Sequence, residues 1–177
     1  MAATLESTSA DRPIQSLDEL CEVFRAAEKP AAQFRIGAEA EKFAISADGQ
    51  PLHYEGERGV VGIFEALDDF GWEPEREAPN GPVIALRRGA ASITLEPGSQ
   101  LELSGAALPD LHQVDAEFHN HLRELGPISQ KLGLTWLGVG FQPLASQADL
   151  SWVPKQRYGI MRDYLPTKGH AAHDMMR

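Results

Sequence analysis

The chain contains two stretches in which acidic or amide side chains alternate with apolar ones, and this alternation constrains the fold more than any other feature. The first stretch spans residues 34–45 and places Glu39 and Glu41 two positions apart. Side chains two apart on a β-strand point to the same face, so the two carboxylates project together. Ala38 and Ala40 then project from the opposite face. The pattern therefore predicts a strand with one polar and one apolar face.

The second stretch spans residues 92–104 and alternates in the same way. Gln100 and Glu102 share one face, and the leucines beside them share the other. Glu96 has the same parity as Glu102, although the Pro-Gly pair between them is expected to bend the strand. Both stretches thus predict carboxylates along one face of a sheet.

The spacing of the carboxylates has an energetic consequence. Two carboxylates about 6.6 Å apart repel by about 2.5 kcal/mol at an effective dielectric of about 20. A partly buried pair must therefore be screened by water, share a proton or hold a cation. Oxygen ligands on a rigid sheet suit Mg²⁺, which completes its shell with water and phosphates. On the residues alone, two solvent-facing strand surfaces and a divalent-cation site are equally open interpretations.

The composition limits the class of protein. A chain of 177 residues with 42% hydrophobic and 24% charged residues is typical of one globular domain. The net charge of −10 argues against nucleic-acid binding, and no apolar run is long enough to span a membrane. The single cysteine, Cys21, cannot form an internal disulfide and predicts a cytoplasmic location. Residues 1–15 lack the features of a signal or transit peptide and are expected to form a disordered tail.

Hydrophobic periodicity predicts an α+β fold, with an antiparallel sheet that has helices on one face and a polar site on the other. The predicted helices run from Ser16 to before Pro30, over 60–70, over 109–132 and over 155–164. The predicted strands are 33–45 with a short partner at 52–54, 83–86 paired with 91–103, and 134–141. The segment 72–82 carries three prolines and is predicted to be a loop.

Histidine and aspartate on the third predicted helix suggest a second possible metal site. His112, Asp115 and His119 have helical spacing and would share one face. Their order matches no known zinc motif, and apolar residues adjoin that face. We therefore favour a solvated helix surface for these three residues.

Two further motifs supply polar or cationic side chains. Gln142 follows a glycine-rich strand end that lacks the third glycine and the lysine of nucleotide-binding loops, and it is a candidate polar contact. Arg157, Tyr158 and Arg162 lie on the last predicted helix. Arginine binds carboxylates through a bidentate fork, so this helix is either a substrate-binding element or a surface helix with a basic stripe.

Taken together and in this order, these segments resemble the plant and proteobacterial type of glutamate–cysteine ligase. The likeness covers nearly all of the chain after about residue 15. It is carried by residues 36–43, 92–105, 137–143 and 154–162.

The resemblance implies an ATP-dependent ligase whose sheet is part of a cup like the catalytic half of glutamine synthetase. In that family ATP phosphorylates the γ-carboxylate of L-glutamate, and the amine of L-cysteine then displaces phosphate to give γ-glutamylcysteine, the first step of glutathione biosynthesis. The implied ligands of Mg²⁺ ions on the ATP phosphates are Glu39, Glu41, Glu96 and Glu102. The implied catalytic residues are Arg157 and Arg162, and the implied substrate contacts are Gln100, Gln142, Arg157, Tyr158 and Arg162.

The chain departs from the family pattern in two ways. Ala40 stands between the paired glutamates, where family members commonly have a polar residue. The likeness also stops at Arg177, whereas the family continues. Residues 16–177 are therefore expected to be the amino-terminal part of the catalytic domain, truncated at its carboxyl end and with little activity alone. A non-catalytic module that binds glutamate or metal, or associates with a full-length ligase, is the alternative.

Overall fold

The computed structural model describes residues 13–177, so most of the predicted tail lies outside the described residues. The chain separates into two compact units, with the boundary after Arg35. The first unit contains helix α1, Leu17–Ala27. The Ser16 side chain caps this helix by accepting a hydrogen bond from the Glu19 amide at 3.2 Å. The predicted first helix is therefore confirmed.

The second unit is built on one open sheet of six strands, all paired antiparallel, in the order β2-β3-β4-β5-β1-β6. The strands are β1 Glu39–Ser46, β2 Glu73–Arg76, β3 Val83–Arg88, β4 Ala91–Glu96, β5 Gln100–Ser104 and β6 Leu134–Leu137. Its helices are α2 Val60–Leu67, α3 Leu111–Leu132 and α4 Gln156–Tyr164. The predicted α+β class and antiparallel sheet are confirmed, and β2 and β6 are the two edges of this sheet.

The single strand predicted over 91–103 is wrong. The chain reverses at Pro97–Ser99, and β4 and β5 pair with each other. The reversal requires left-handed backbone at Gly98 (φ 71°) and at Ser99 (φ 64°). Glycine adopts this conformation without strain, so Gly98 allows the tight reversal. Glu96 consequently lies opposite Gln100 across the turn.

Four other predictions for the strands also need correction. The first strand begins at Glu39, six residues later than predicted. No strand forms at 52–54, and the nearest pairing is an isolated bridge between Ile45 and Pro51. The segment predicted as loop contains β2, where Pro74 is tolerated because an edge strand needs fewer backbone donors. The last strand, β6, ends four residues before the predicted boundary.

Capping residues define where helix α3 begins and ends. The Asp110 side chain accepts a hydrogen bond from the Gln113 amide at 3.0 Å, so Pro109 precedes the cap and does not occupy the first turn as predicted. At the other end Gly133 has φ 69° and stops the helix. These signals fix which residues of α3 can face the sheet.

Alternation gives the central strands two different faces. On one face Ile93, Leu95, Leu101 and Leu103 are buried in the main core together with side chains of α2 and α3. The opposite face of the same strands carries polar side chains. Within residues 13–177, no helix combines the length and apolar character needed to cross a membrane.

Candidate functional site

Carboxylates and hydroxyls occupy the face of the sheet opposite the core, and we call this surface the carboxylate face. It consists of Glu39 and Glu41 from β1, Ser92, Thr94 and Glu96 from β4, and Gln100, Glu102 and Ser104 from β5. Strand register places Glu41 opposite Glu102, and Glu102 opposite Thr94. Directly opposed residues on antiparallel strands have Cβ atoms about 4.5–5.5 Å apart. The two polar stretches predicted from the sequence therefore pair as β1 and β5, with Glu41 opposite Glu102.

Glu102 is the buried carboxylate of this face, with 7% of its surface exposed. The Thr94 hydroxyl donates a hydrogen bond to its Oε2 at 3.1 Å, and the Ser104 hydroxyl donates to Oε1. A carboxylate that accepts from donors on both oxygens is held in one orientation. Both carboxylate oxygens of Glu102 are thus held in place, and each keeps a further lone pair.

Glu41 lies beside Glu102 but is exposed. Partial desolvation raises the pKa of the Glu41 carboxyl, and the charges of Glu102, Glu96 and Glu39 raise it further. A hydrogen bond from Gln100 opposes the shift. Because Glu39 and Glu41 are both open to solvent, their repulsion is screened to about 1 kcal/mol or less, below the value expected for a partly buried pair.

The carboxylates do not converge on one point. Within residues 13–177, no three His, Cys, Asp or Glu side chains lie close enough together to hold a single metal ion. Mg²⁺ does not need such a cage, because it is usually bound by one or two carboxylates, with water and substrate phosphates completing its shell. The opposed carboxylates of Glu41 and Glu102 fit this kind of site.

The histidine-containing face of α3 is a solvated surface, as the sequence favoured. His119 Nδ1 lies 3.2 Å from Asp115 Oδ1, and both side chains are more than half exposed. An exposed pair of this kind contributes little stability. The described part of α3 therefore offers no zinc site.

Arg157 and Tyr158 lie at the end of the carboxylate face marked by Glu96. Arg157 Nη2 is 3.2 Å from Glu96 Oε1 and 2.7 Å from the Tyr158 hydroxyl oxygen. The Tyr158 hydroxyl donates to the Leu95 carbonyl oxygen at 2.8 Å. Burial raises the pKa of this phenol, which therefore stays protonated at neutral pH. The structure thus joins α4 to β4 and brings a guanidinium onto the acidic surface.

Arg162 does not share this position. Its Nε contacts Asp163 at 3.4 Å, and its guanidinium lies 5.9 Å from the centre of the Trp152 ring. Among the hydrogen bonds and ion pairs of the described residues, none links Arg162 to the glutamates of β1, β4 or β5. The two arginines proposed as one catalytic pair are therefore held in different surroundings.

The two glutamines also have different roles. Gln100 is buried on the carboxylate face, and its amide donates to the Val139 carbonyl at 3.1 Å. Gln142 is fully buried, and its side-chain oxygen accepts from the Leu144 amide at 2.8 Å. Its amide nitrogen has no partner among the described residues. Gln100 can contact a ligand near Glu41, whereas Gln142 mainly holds its own loop.

Sequence reasoning missed two lysines at this site. Lys155 Nζ donates to the Leu95 carbonyl at 2.6 Å, beside the Tyr158 ring. Lys42 is 4% exposed and lies on the core side of β1, next to Glu41 in sequence. A signal for Lys42 was available, because it is a lysine on the apolar parity of an amphipathic strand. No comparable pattern marks Lys155.

The family model for glutamate–cysteine ligase family 2 matches residues 35–177, which contain the whole sheet and α2 to α4. The chain belongs to this family. Glutamate–cysteine ligase A, chloroplastic, of Oryza sativa subsp. japonica is 43% identical over 150 residues, covering 84% of this chain and 30% of the relative. The chloroplastic glutamate–cysteine ligases of Medicago truncatula and Arabidopsis thaliana are each 38% identical over 175 residues, covering 98% of this chain and 33% and 32% of those relatives.

The coverage is asymmetric. The match to glutamate–cysteine ligase family 2 takes in most of this chain, but the chain spans only about a third of the relatives' own length. Those relatives are chloroplastic by name, so the cytoplasmic location suggested by Cys21 stays a prediction.

Proposed function

We propose that this chain provides the carboxylate face of an ATP-dependent ligase that joins the γ-carboxyl group of L-glutamate to the amine of L-cysteine. The single observation that carries the proposal is the register of β1, β5 and β4, which aligns Glu41, Glu102 and Thr94 across three strands. Family membership supports the reaction class. Because the chain spans about a third of its relatives, we expect these residues alone to turn over slowly, if at all.

The proposed ligands of the cation are Glu41 and Glu102, with Glu39 and Glu96 along the same face. When bound, Mg²⁺ neutralises the phosphate oxygens of ATP during phosphoryl transfer to the γ-carboxylate. Glu102 would contribute a fixed oxygen because Thr94 and Ser104 hold it. Glu41 is exposed and would be free to move toward a ligand. The proposed residues thus position charge and need no covalent chemistry of their own.

Arg157 is the proposed contact for an anionic group of the substrate. It is held by Tyr158 and Glu96 at the edge of the carboxylate face, and about half of its side chain is exposed. A guanidinium so placed can exchange Glu96 for a carboxylate or phosphoryl oxygen. Gln100 is the proposed neutral contact nearby, whereas Arg162 and Gln142 have weaker support from their surroundings.

Calorimetric titration with Mg²⁺, with and without a non-hydrolysable ATP analogue, tests the proposal. We expect Glu102→Gln to weaken Mg²⁺ binding at least tenfold, about 1.4 kcal/mol, because it removes a charged ligand. Glu75→Gln is the matched control, since Glu75 is a glutamate of the edge strand β2 that pairs with Arg87. Equal Mg²⁺ affinity in Glu102→Gln and the parent chain would contradict the metal site.

A second experiment separates a ligase from a binding module. Hydroxylamine traps an acyl phosphate, so a chain that phosphorylates L-glutamate forms a hydroxamate that depends on both ATP and Mg²⁺. Binding of Mg²⁺ and glutamate without any hydroxamate, also after the chain is supplied with the carboxyl-terminal remainder of a family member, would favour the non-catalytic module.

A further inference from the structure

A buried cation lies directly behind the carboxylate face. Lys42 follows Glu41 in β1 and is the register partner of Leu101, so its side chain enters the core layer of the sheet. Its ammonium group donates to the Ala40 carbonyl oxygen at 2.7 Å and lies 3.0 Å from His121 Nε2 on α3. A buried lysine is rare unless it is paired, and here both partners are neutral acceptors.

His121 is the other unusual residue in this layer. It is fully buried, and its Nδ1 has no hydrogen-bond partner among the described residues. Burial, together with the charges of Lys42 and Arg88, lowers the pKa of this imidazole to about 3. His121 is therefore neutral and accepts from Lys42 through Nε2, which places its own proton on Nδ1. The histidine consequently solvates the lysine without neutralising it.

The charge of Lys42 is therefore compensated from the other side of the strand. Lys42 adjoins Glu41 in β1, and its register partner Leu101 adjoins Glu102 in β5, so the ammonium group lies behind both carboxylates. Burial lowers the pKa of the Lys42 ammonium, and the charges of Glu102 and Glu41 oppose this shift, so that the pKa is about 8. These two glutamates are the opposed pair at the centre of the carboxylate face. The lysine and the glutamates thus interact through the thickness of a single β-sheet.

We propose that Lys42 is a positioning residue for the carboxylate face, which fixes the β1 backbone between Glu39 and Glu41 and supplies a counter-charge to Glu41 and Glu102. The inference rests on the proposed function, because it assumes that those carboxylates take up Mg²⁺. The counter-charge limits their repulsion while no cation is bound, and it also repels an arriving Mg²⁺. The site therefore binds free Mg²⁺ weakly and retains it only together with the phosphates of the nucleotide.

The decisive variant is Lys42→Met, which keeps an unbranched side chain of similar length but removes the charge. We expect a lower urea midpoint in EDTA and, in contrast, Mg²⁺ binding that is tighter by about threefold or more, because a repulsive charge has been removed. Leu103→Ala is the control, since Leu103 lies in the same layer and its truncation destabilises the core without changing charge. Lys42→Arg keeps the positive charge, so its Mg²⁺ affinity should equal that of the parent chain.

A merely structural role predicts a different result. Lys42→Met would then behave like Leu103→Ala, with lower stability and unchanged or weaker Mg²⁺ binding, and that outcome would overturn the inference. If the parent chain shows no Mg²⁺ binding, with or without the ATP analogue, the proposed function fails and Lys42 has no metal affinity to set.

A double-mutant cycle in EDTA tests, without any metal, whether Lys42 acts as a counter-charge to Glu102. Lys42→Met should lower the urea midpoint less in a Glu102→Gln background than in the parent, because the neutral amide no longer needs the counter-charge. If Lys42→Met alone is too unstable to measure, the double variant should recover a cooperative unfolding transition. If the Lys42→Met, Glu102→Gln double variant is no more stable than Lys42→Met, Lys42 does not act as a counter-charge and has only a packing role.

Discussion

The two faces of β1, β4 and β5 are made by the same strands but stabilise the protein in different ways. One face buries apolar side chains such as Ile93 and Leu101, which are inaccessible to solvent. The other face presents carboxylates that repel one another, and desolvation together with this repulsion raises the pKa of Glu41. The comparison shows that the apolar face supplies the stability that allows the carboxylate face to be electrostatically unfavourable. Lys42 links the two, because it is a charge placed on the apolar face.

The largest expected effect comes from truncating the apolar face. We expect Leu101→Ala to lower the free energy of unfolding by about 3–5 kcal/mol, because Leu101 is fully buried and its loss leaves a cavity. Ser92→Ala, on the polar face of the neighbouring strand β4, should change it by less than about 0.5 kcal/mol. Urea denaturation measures both values. Similar losses for the two variants would show that the faces do not differ as described.

A smaller effect is expected where α4 joins the sheet. Tyr158→Phe removes the hydroxyl that donates to the Leu95 carbonyl and accepts from Arg157, and should cost about 1–2 kcal/mol. Tyr164→Phe is the matched control, because Tyr164 is 53% exposed. Thermal unfolding of both variants gives the difference. A Tyr158→Phe variant as stable as the control would mean that the hydroxyl does not anchor the helix.

The smallest expected effect is a gain in stability, whereas the preceding substitutions cause losses. Glu41→Gln should stabilise the metal-free chain at pH 7, by less than about 1 kcal/mol because Glu41 is exposed and screened. The pKa of Glu41 is raised on folding, so the folded chain binds this proton more tightly, and ionisation of Glu41 lowers stability as the pH rises. The gain in Glu41→Gln should therefore disappear as the pH falls through the ordinary pKa of 4.5.

Urea unfolding in EDTA at pH 4 and pH 7 checks both the sign and the pH dependence. Glu75→Gln serves as the comparison, because Glu75 pairs with Arg87 and its charge is favourable. A loss of stability in Glu41→Gln at neutral pH would contradict crowding of like charges on the carboxylate face.

Much of the site followed from alternation alone. A period of two placed Glu39, Glu41, Gln100 and Glu102 on polar strand faces, and the structure brings those faces together. The helix α4 was also predicted within a residue of its observed start. These features are local, so a short window of sequence contains the information that determines them.

The missed features depend on contacts between distant residues. The reversal at Gly98 and Ser99 was predicted as a bend, because a Pro-Gly pair allows both and only the pairing of β4 with β5 decides between them. The burial of Lys42 depends on His121, a residue 79 positions away that supplies an acceptor inside the core. Arg157 and Arg162 share one short helix, and only tertiary packing shows that they have different partners.

The strand order has a consequence for how the protein folds. β2 to β5 follow one another in sequence and are neighbours in the sheet, so they can form through successive hairpins. β1 comes first in the chain, but both its partners, β5 and β6, come much later. Closing such long loops is entropically costly and slow. We therefore expect β1 to dock late, onto a meander that is already formed, so that the opposed pair of Glu41 and Glu102 is among the last contacts made by a newly synthesised chain.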